Sequence, residues 1–149
     1  MIHTSQTTNN NNWIEALGIK RETIPVLILG NNPIEMTQVY NILVSNSSKN
    51  YLADVCFDVK DSFNRITKQK PNVILIDDNL LSDDINKLIK VLRHNAKTKD
   101  IKIILLKSTN WNYNVIDNVD DYILKDTVNS GLLDRLIYKN LHQKDHQYA

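Results

Sequence analysis

Short apolar runs alternate with amphipathic stretches along most of this chain, and few architectures accommodate that order. Four runs are rich in Ile, Leu and Val and end in polar residues, as strands buried on both faces do. They are residues 25–29 (PVLIL), 73–76 (VILI), 101–106 (IKIILL) and 122–124 (YIL). A fifth run at 51–57 (YLADVCF) alternates between apolar and polar residues, which favours an edge strand.

Helical spacing of apolar residues fills the gaps between the runs. It covers residues 33–44, 61–70, 84–92 and 132–141. The gap at 108–119 is short, so we expect any helix there to be shortened. Strands that alternate with helices predict a parallel sheet covered by helices on both faces. In such a sheet the functional crevice lies beyond the carboxyl ends of the strands. Those ends are residues 30–32, 77–79, 107–109 and 125–126.

Composition narrows the function classes. The 149 residues suit one domain, and 18 basic against 17 acidic side chains leave a net charge of +1. That balance gives no electrostatic case for nucleic-acid binding. The single cysteine, Cys56, cannot form an internal disulfide, and no apolar run approaches the length of a membrane span. We therefore expect a cytoplasmic protein that binds neither nucleic acid nor membrane.

The two ends of the chain differ from its centre in composition and in apolar periodicity. Residues 1–23 form an Asn-rich arm that we expect to be mostly disordered, because it has little to bury. Within it Trp13, Ile14, Leu17 and Ile19 make a short amphipathic segment that could pack on the domain or reach a partner. Residues 24–142 form the predicted domain, and 143–149 a disordered tail.

Four segments resemble, in order and spacing, the receiver domain of two-component response regulators. They match its first, third, fourth and fifth strands: VLILGNNPIE (26–35), PNVILIDDN (71–79), KIILLKS (102–108) and DDYILKD (120–126). The resemblance covers residues 24–142 and implies a CheY-like, flavodoxin-like α/β fold. That fold is a doubly wound (βα)5 parallel sheet with strand order 2-1-3-4-5.

The resemblance assigns positions to individual residues. Asp77 stands at the phospho-acceptor position, Lys125 at the family lysine and Tyr122 at the aromatic switch position. Arg93, after the third predicted helix, also fits the family pattern.

Three positions depart from the family pattern. Gly30 and Asn31 stand where two acidic residues normally follow the first strand, and Lys107, next to Ser108, stands at the position of the family hydroxyl. In the family the two acids and the acceptor aspartate hold Mg²⁺, which neutralises the charge that develops when a carboxylate attacks a phosphoryl group.

We therefore expect a pocket in which one carboxylate, Asp77, faces two ammonium groups, Lys107 and Lys125. Such a pocket has no reason to collect a dication, so no cofactor is predicted. If Mg²⁺ were bound, its ligands would be Asn31, Asp77 and Asn79. Asp78 should point to the opposite side of the strand from Asp77.

Several roles stay open at the level of sequence. Asp77 either accepts phosphate or pairs with a lysine as a relic of that function. Lys125 either holds a phosphoryl group or forms a salt bridge, and the salt bridge is favoured. Lys107 either supplies the positive charge of the missing metal or extends to solvent.

An interaction surface is predicted on the face that runs from the fourth strand to the fifth helix of the family fold. Trp111 and Tyr113 either anchor a partner there or cover an edge of the sheet. Tyr122 is expected to be half-buried and structural unless a two-state switch exists.

The function favoured by these residues is that of a stand-alone, divergent receiver domain, not an enzyme, that acts in signal transduction by binding another protein. The partner is a histidine kinase or an output protein, or a second copy of the chain docked through the same face. The first alternative is a receiver that accepts phosphate on Asp77 from a histidine kinase. The second is a flavodoxin-like ligand-binding domain or small enzyme, although the chain has only three glycines and no phosphate-binding loop motif.

Overall fold

The computed structural model describes residues 17–18, 23–45, 49–108 and 116–143. These ranges contain five strands: β1 (Thr23–Leu29), β2 (Asn50–Cys56), β3 (Val73–Asp77), β4 (Lys102–Lys107) and β5 (Asp121–Leu124). They also contain four α-helices and one 3-10 turn: α1 (Pro33–Val44), α2 (Val59–Gln69), α3 (Ser82–Arg93), the turn Lys125–Thr127 and α4 (Ser130–His142). The strands pair in parallel in the order β2-β1-β3-β4-β5. The predicted doubly wound α/β sheet is thus confirmed.

Each face of the sheet has its own apolar core, because successive strand residues point to opposite faces. On one face α1 and α4 pack against a cluster that includes Ile28 and Leu75. On the other face α2 and α3 pack against a cluster that includes Leu29 and Ile76. Every residue of β3 is buried, as the continuous apolar run at its position predicts. Because helices cover both faces of the sheet, a site is expected at the carboxyl ends of the strands.

The two edges of the sheet correspond to the two weakest runs in the sequence. β2 is an edge strand, as its alternating pattern predicts. β5 is the other edge, so the prediction of a strand buried on both faces at 122–124 is wrong. Only Ile123 of β5 is buried, and Tyr122 is 55% exposed instead of half-buried. The physical reason is position, since the described part of the chain does not cover the outer side of this short last strand.

The connection between β4 and β5 is described only in part. Residues 108 and 116–120 are not helical, and 109–115 lie outside the described residues. The predictions for Trp111, Tyr113 and the shortened helix therefore fall outside the described chain, as do those for most of the arm and the tail. No helix within the described ranges is long and apolar enough to cross a bilayer.

Arg93 fixes the described part of that connection. Its guanidinium donates to the carbonyl oxygens of Ile101 (2.7 Å) and Asn118 (3.0 Å) and to Oδ2 of Asp120 (2.8 Å). The same Asp120 oxygen accepts from the backbone N–H of Ile103. One side chain thereby ties the end of α3 to the segments that enter β4 and β5.

Candidate functional site at the carboxyl ends of the strands

The turn between β1 and α1 sets one wall of the site. Asn32 caps α1, because its Oδ1 accepts from the backbone N–H groups of Ile34 (3.0 Å) and Glu35 (3.1 Å). Pro33 follows at the first helical position, where its missing N–H leaves no bond unmade. This cap starts the helix immediately after the strand and brings the first turn of α1, with Glu35, over the end of the sheet.

Gly30 provides the space for a side chain from that helix. A Cβ atom added at Gly30 would lie against Met36 Sδ, 2.9 Å from Met36 Cγ and 3.0 Å from Asp77 Cβ. Met36 is fully buried. The volume that a side chain of residue 30 would take next to Asp77 is therefore filled by the thioether of Met36. Asn31, the neighbouring candidate, is exposed.

Asp77 ends β3 with no exposed side-chain surface. Its Oδ1 accepts from the ammonium group of Lys125 at 3.0 Å and from the backbone N–H of Asn79 at 2.9 Å. Its Oδ2 lies 3.2 Å from the same ammonium nitrogen. A buried carboxylate is stable only when it is paired and hydrogen-bonded in this way. Asn79 itself is exposed, and it contacts the site through its backbone N–H.

Lys125 stands at the centre of the site. It begins the 3-10 turn after β5, and its Nζ also donates to Glu35 Oε1 at 3.2 Å. The exposed fraction of the side chain rises from 0% for Asp77 through 15% for Lys125 to 42% for Glu35. Burial alone would lower the pKa of Lys125, but the hydrogen bonds to Asp77 and Glu35 outweigh it and raise that pKa above its ordinary value of 10.5.

The raised pKa predicts how the cluster responds to alkali. Below pH 10.5 the lysine is charged in both the folded and the unfolded chain, so its stabilising contribution is fully present. As pH rises from there through the higher pKa of the folded state, the contribution is lost. We expect the free energy of unfolding of the parent to approach that of Lys125→Met as the pH of urea titrations is raised through this window. Lys68→Met, an exposed control, should show no such convergence.

Asp78 and Ser108 form a separate pair beside the cluster. Both carboxylate oxygens of Asp78 accept from the backbone N–H of Ser108 at 3.2 Å, and Oδ1 also accepts from the Ser108 hydroxyl at 2.8 Å. The Ser108 hydroxyl, one residue after the position of the family hydroxyl, is thus bonded to Asp78, while Asp77 is bonded to Lys125.

Lys107 and Asp77 point to opposite faces of the sheet, because Asp77 pairs with Leu106 across β3 and β4. The Lys107 Nζ stands 4.9 Å from the centroid of the Tyr122 ring, within cation–π range. Leu105 pairs with Tyr122 and Lys107 with Leu124 across β4 and β5, so Lys107 and Tyr122 are diagonal neighbours on one face. The aromatic candidate and the lysine at the hydroxyl position therefore contact each other at the edge of the sheet.

The charge count expected from the sequence is wrong for both kinds of group. One carboxylate facing two ammonium groups was predicted, and the structure brings together two carboxylates, Asp77 and Glu35, around one ammonium group, Lys125. Lys107 contacts the Tyr122 ring instead of the cluster, and Glu35 of α1 belongs to the cluster. Sequence reasoning missed Glu35 and Met36. The available signal was their place in the first turn of a helix that begins at the carboxyl end of β1.

The donor set does not fit Mg²⁺. Octahedral Mg²⁺ needs oxygen ligands with accessible lone pairs and a net negative site. Here the buried carboxylate is bonded to an ammonium group. The space beside Gly30, where an oxygen ligand would stand, is filled by the thioether of Met36. In the described ranges no group of three or more His, Cys, Asp or Glu residues is placed to hold a metal ion. A carboxylate shared with a fixed cation is a poor site for a second cation.

The chain has the fold of response-regulator receiver domains. It is similar to the receiver domain of a sensor histidine kinase from Pseudomonas aeruginosa, which has a magnesium ion in its active-site cleft. The TM-score is 0.71 at 19% identity, over 82% of this chain and 100% of that one. A response regulator from Desulfuromonas acetoxidans matches with a TM-score of 0.65 at 19% identity, over 79% and 96% of the two chains. A chemotaxis response regulator of Vibrio cholerae matches at 0.64 and 14% identity, over 80% and 99%.

No protein-family model and no curated protein matches the sequence. The resemblance of four strand segments is thus supported by the fold, at identities below 20% in these three structures.

Proposed function

We propose that this chain is a signalling module of two-component pathways that acts by binding a partner protein, without Mg²⁺-dependent transfer of a phosphoryl group to Asp77. The carboxylate cluster then has a structural task. It holds the β1–α1 turn, the end of β3 and the turn after β5 in one arrangement.

The observation that carries this proposal is the occupant of the space beside Gly30. Phosphoryl transfer to a carboxylate needs a cation between two anions, and that cation needs oxygen ligands. Gly30, directly after β1 and beside Asp77, has no side chain, and the buried Met36 fills the volume that one would take. A thioether is a soft ligand that Mg²⁺ does not select.

The residues at and next to the position of the family hydroxyl contact groups other than Asp77. Ser108 donates its hydroxyl to Asp78, and Lys107 lies over the exposed ring of Tyr122. Neither contact involves Asp77. Both arrangements favour a single state of the β4–β5 edge, in which Tyr122 stays accessible at the surface.

The partner surface that we propose is the β4–β5–α4 face. It presents the Tyr122 ring, 55% exposed, at the β5 edge of the sheet. Lys107 accompanies this ring, with its Nζ 4.9 Å from the ring centroid. Exposed aromatic rings beside cations are typical of protein-binding surfaces. A histidine kinase, an output protein or a second copy of the chain would be the partner.

A phosphorylatable receiver is the second candidate. The observation in its favour is the direct contact between Asp77 and Lys125, at 3.0 Å, because a lysine beside the acceptor could hold phosphoryl oxygens. The flavodoxin-like ligand-binding alternative stays a prediction. Flavin or nucleotide absorbance in the purified protein would support it.

Incubation with a small phosphodonor and Mg²⁺ tests the proposal. We expect the intact mass of the parent chain to stay unchanged under conditions in which a receiver domain with a complete acid pair gains one phosphoryl group. Asp77→Asn is the matched control, since it keeps the shape of the side chain and removes the nucleophile. A mass gain in the parent that Asp77→Asn abolishes would contradict the proposal and favour the second candidate.

A further inference from the structure

A cavity of about 840 Å³ opens at the amino ends of β3 and β4, at the opposite edge of the sheet from Asp77. Its volume lies within the range of about 300–1,000 Å³ that is typical of ligand-sized pockets. The apolar residues that line it include Phe63 and Ile66 of α2, Ile101 before β4 and Leu141 of α4. Phe63 and Leu141 are only partly buried, so the cavity leaves apolar surface open to an occupant. The proposed function makes no use of it.

The charged residues that line the cavity are mostly basic. They are Lys70, Lys97 and Lys102, with one carboxylate, Asp100. Among the described residues, neither Lys70 nor Lys97 forms an ion pair with an acidic side chain. Two cations that lack a fixed counterion beside an apolar wall favour an occupant with a negative charge.

The backbone of Lys70 has a conformation that glycine adopts more easily than lysine. Lys70 follows the last residue of α2 with a φ of 50° and a ψ of 60°, in the left-handed region, and its N–H donates to the carbonyl of Ile66. Glycine is the usual residue at this place after a helix, because a Cβ atom is crowded there. Residues in such conformations cluster at functional sites, including ligand sites. The conformation of Lys70 is therefore an independent indication that its side chain has a task at this cavity.

The cavity is built on backbone that is already fixed by hydrogen bonds. The N–H of Asn72 donates to the carbonyl of Pro25 at 2.9 Å, and the N–H of Lys102 donates to the carbonyl of Asn72 at 3.1 Å. Thr98 is buried, and its hydroxyl donates to the carbonyl of Leu92 at 2.7 Å. A site that is formed before its ligand arrives spends little free energy on ordering, so a small molecule can bind it measurably.

We infer that this cavity binds a small molecule that has an apolar body and one acidic group. The apolar body lies against Phe63, Ile66 and Leu141, and the acidic group lies toward Lys70 and Lys97. Carboxylate, sulfonate and phosphate groups all have the required charge. The inference is independent of the proposed function of the Asp77 site, because the cavity lies at the other end of the strands.

The dye anilinonaphthalene sulfonate has this chemistry, and its fluorescence rises when it leaves water for an apolar site. We expect the chain to bind one dye molecule saturably, with a dissociation constant on the order of 10–100 µM. Phenylnaphthylamine has the same rings without the sulfonate, and it serves as the neutral probe. A fluorescence titration that shows no saturable binding of the sulfonate dye would overturn the inference.

A variant that fills the cavity tests the location. Thr67→Tyr places a ring in the cavity from an exposed position of α2 and should abolish binding of the sulfonate dye. Lys68→Tyr is the matched control, because residue 68 is exposed on the same helix but does not line the cavity. It should leave the affinity unchanged. Binding that survives in a folded Thr67→Tyr protein would place the dye elsewhere on the surface and overturn the inference.

A pair of double variants tests the charge. Lys70→Gln with Lys97→Gln should weaken binding of the sulfonate dye about three- to tenfold, since ion pairs near the surface are individually weak, and should leave binding of the neutral probe unchanged. Lys60→Gln with Lys68→Gln removes the same charge from exposed positions of α2 outside the cavity and should change neither affinity.

The lysine variants decide the matter even if Thr67→Tyr fails to fold. Circular dichroism and thermal melting would show which variants are folded. Equal losses of dye affinity in the two double variants would overturn the inference, because net charge alone would then attract the dye. An equal loss for the sulfonate dye and the neutral probe would also overturn it, because Lys70 and Lys97 would then not recognise the acidic group.

Discussion

Lys125→Met should reduce the free energy of unfolding by about 3–5 kcal/mol, the usual cost of breaking a buried ion pair by removing one partner. Asp77 has no exposed side-chain surface, so the variant leaves a carboxylate in the interior without its cation. The remaining bond from the Asn79 N–H cannot replace that charge. Urea denaturation at neutral pH measures the loss directly.

Two further variants separate charge from packing. Asp77→Leu combined with Lys125→Met should recover most of the loss, because an apolar pair of similar volume avoids the desolvation of both ions. Glu35→Gln should cost only about 0–1 kcal/mol, since Glu35 is 42% exposed and its ion pair is largely solvated. A loss below about 1 kcal/mol in Lys125→Met would mean that water reaches Asp77, and the cluster would then have no structural task.

The fold was predictable because its signals are local. A buried strand such as β3 needs an apolar run of the right length, and an amphipathic helix needs its stripe. The pattern at 51–57 even indicated which strand lies at an edge. The burial of Tyr122 was predicted wrongly because it is not a local property of the sequence. Its run is apolar, but whether a neighbour covers a strand at the end of the sheet depends on the rest of the molecule.

The site was predictable only where one residue determines the chemistry. Asp77 and Lys125 were chosen from the strand ends and lie in contact. The place of Glu35 in the first turn of α1 indicated that it lies near the site, but its pairing with Lys125 depends on a contact between residues 90 positions apart in the chain. At the third position of a capped helix, a glutamate commonly reaches back to its own cap. Here Glu35 accepts a hydrogen bond from Lys125 instead.

Lys107 shows a similar limit. Its aligned position suggested a place in the pocket, but its long side chain can follow either of two directions from the end of β4. The register between β4 and β5 puts an aromatic ring within its reach, and a cation gains from that ring without losing contact with water. Strand register across the sheet is set by tertiary packing, so a sequence pattern does not contain it.

Gly30→Asp, Asn31→Asp and Met36→Ala together should raise the affinity for Mg²⁺ by about two orders of magnitude over the parent. Two added carboxylates supply hard oxygen ligands and negative charge, and a single charge pair is worth about 4 kcal/mol at 4 Å in a protein surface environment before desolvation is subtracted. Met36→Ala is needed because a Cβ at residue 30 would meet both Sδ and Cγ of Met36. Isothermal titration calorimetry with MgCl₂ measures the gain.

The partial variants decide whether Met36 is the obstacle. Gly30→Asp with Asn31→Asp, with Met36 retained, should bind Mg²⁺ more weakly than the triple variant, because the new carboxylate must displace a buried side chain. Met36→Ala alone should gain no affinity and should lose about 2–5 kcal/mol of stability through the cavity that it leaves. Equal Mg²⁺ affinities of the double and triple variants would show that the Met36 side chain moves aside without a measurable cost in free energy. Charge alone, and not the filled space beside Gly30, would then explain why the parent site is a poor one for Mg²⁺.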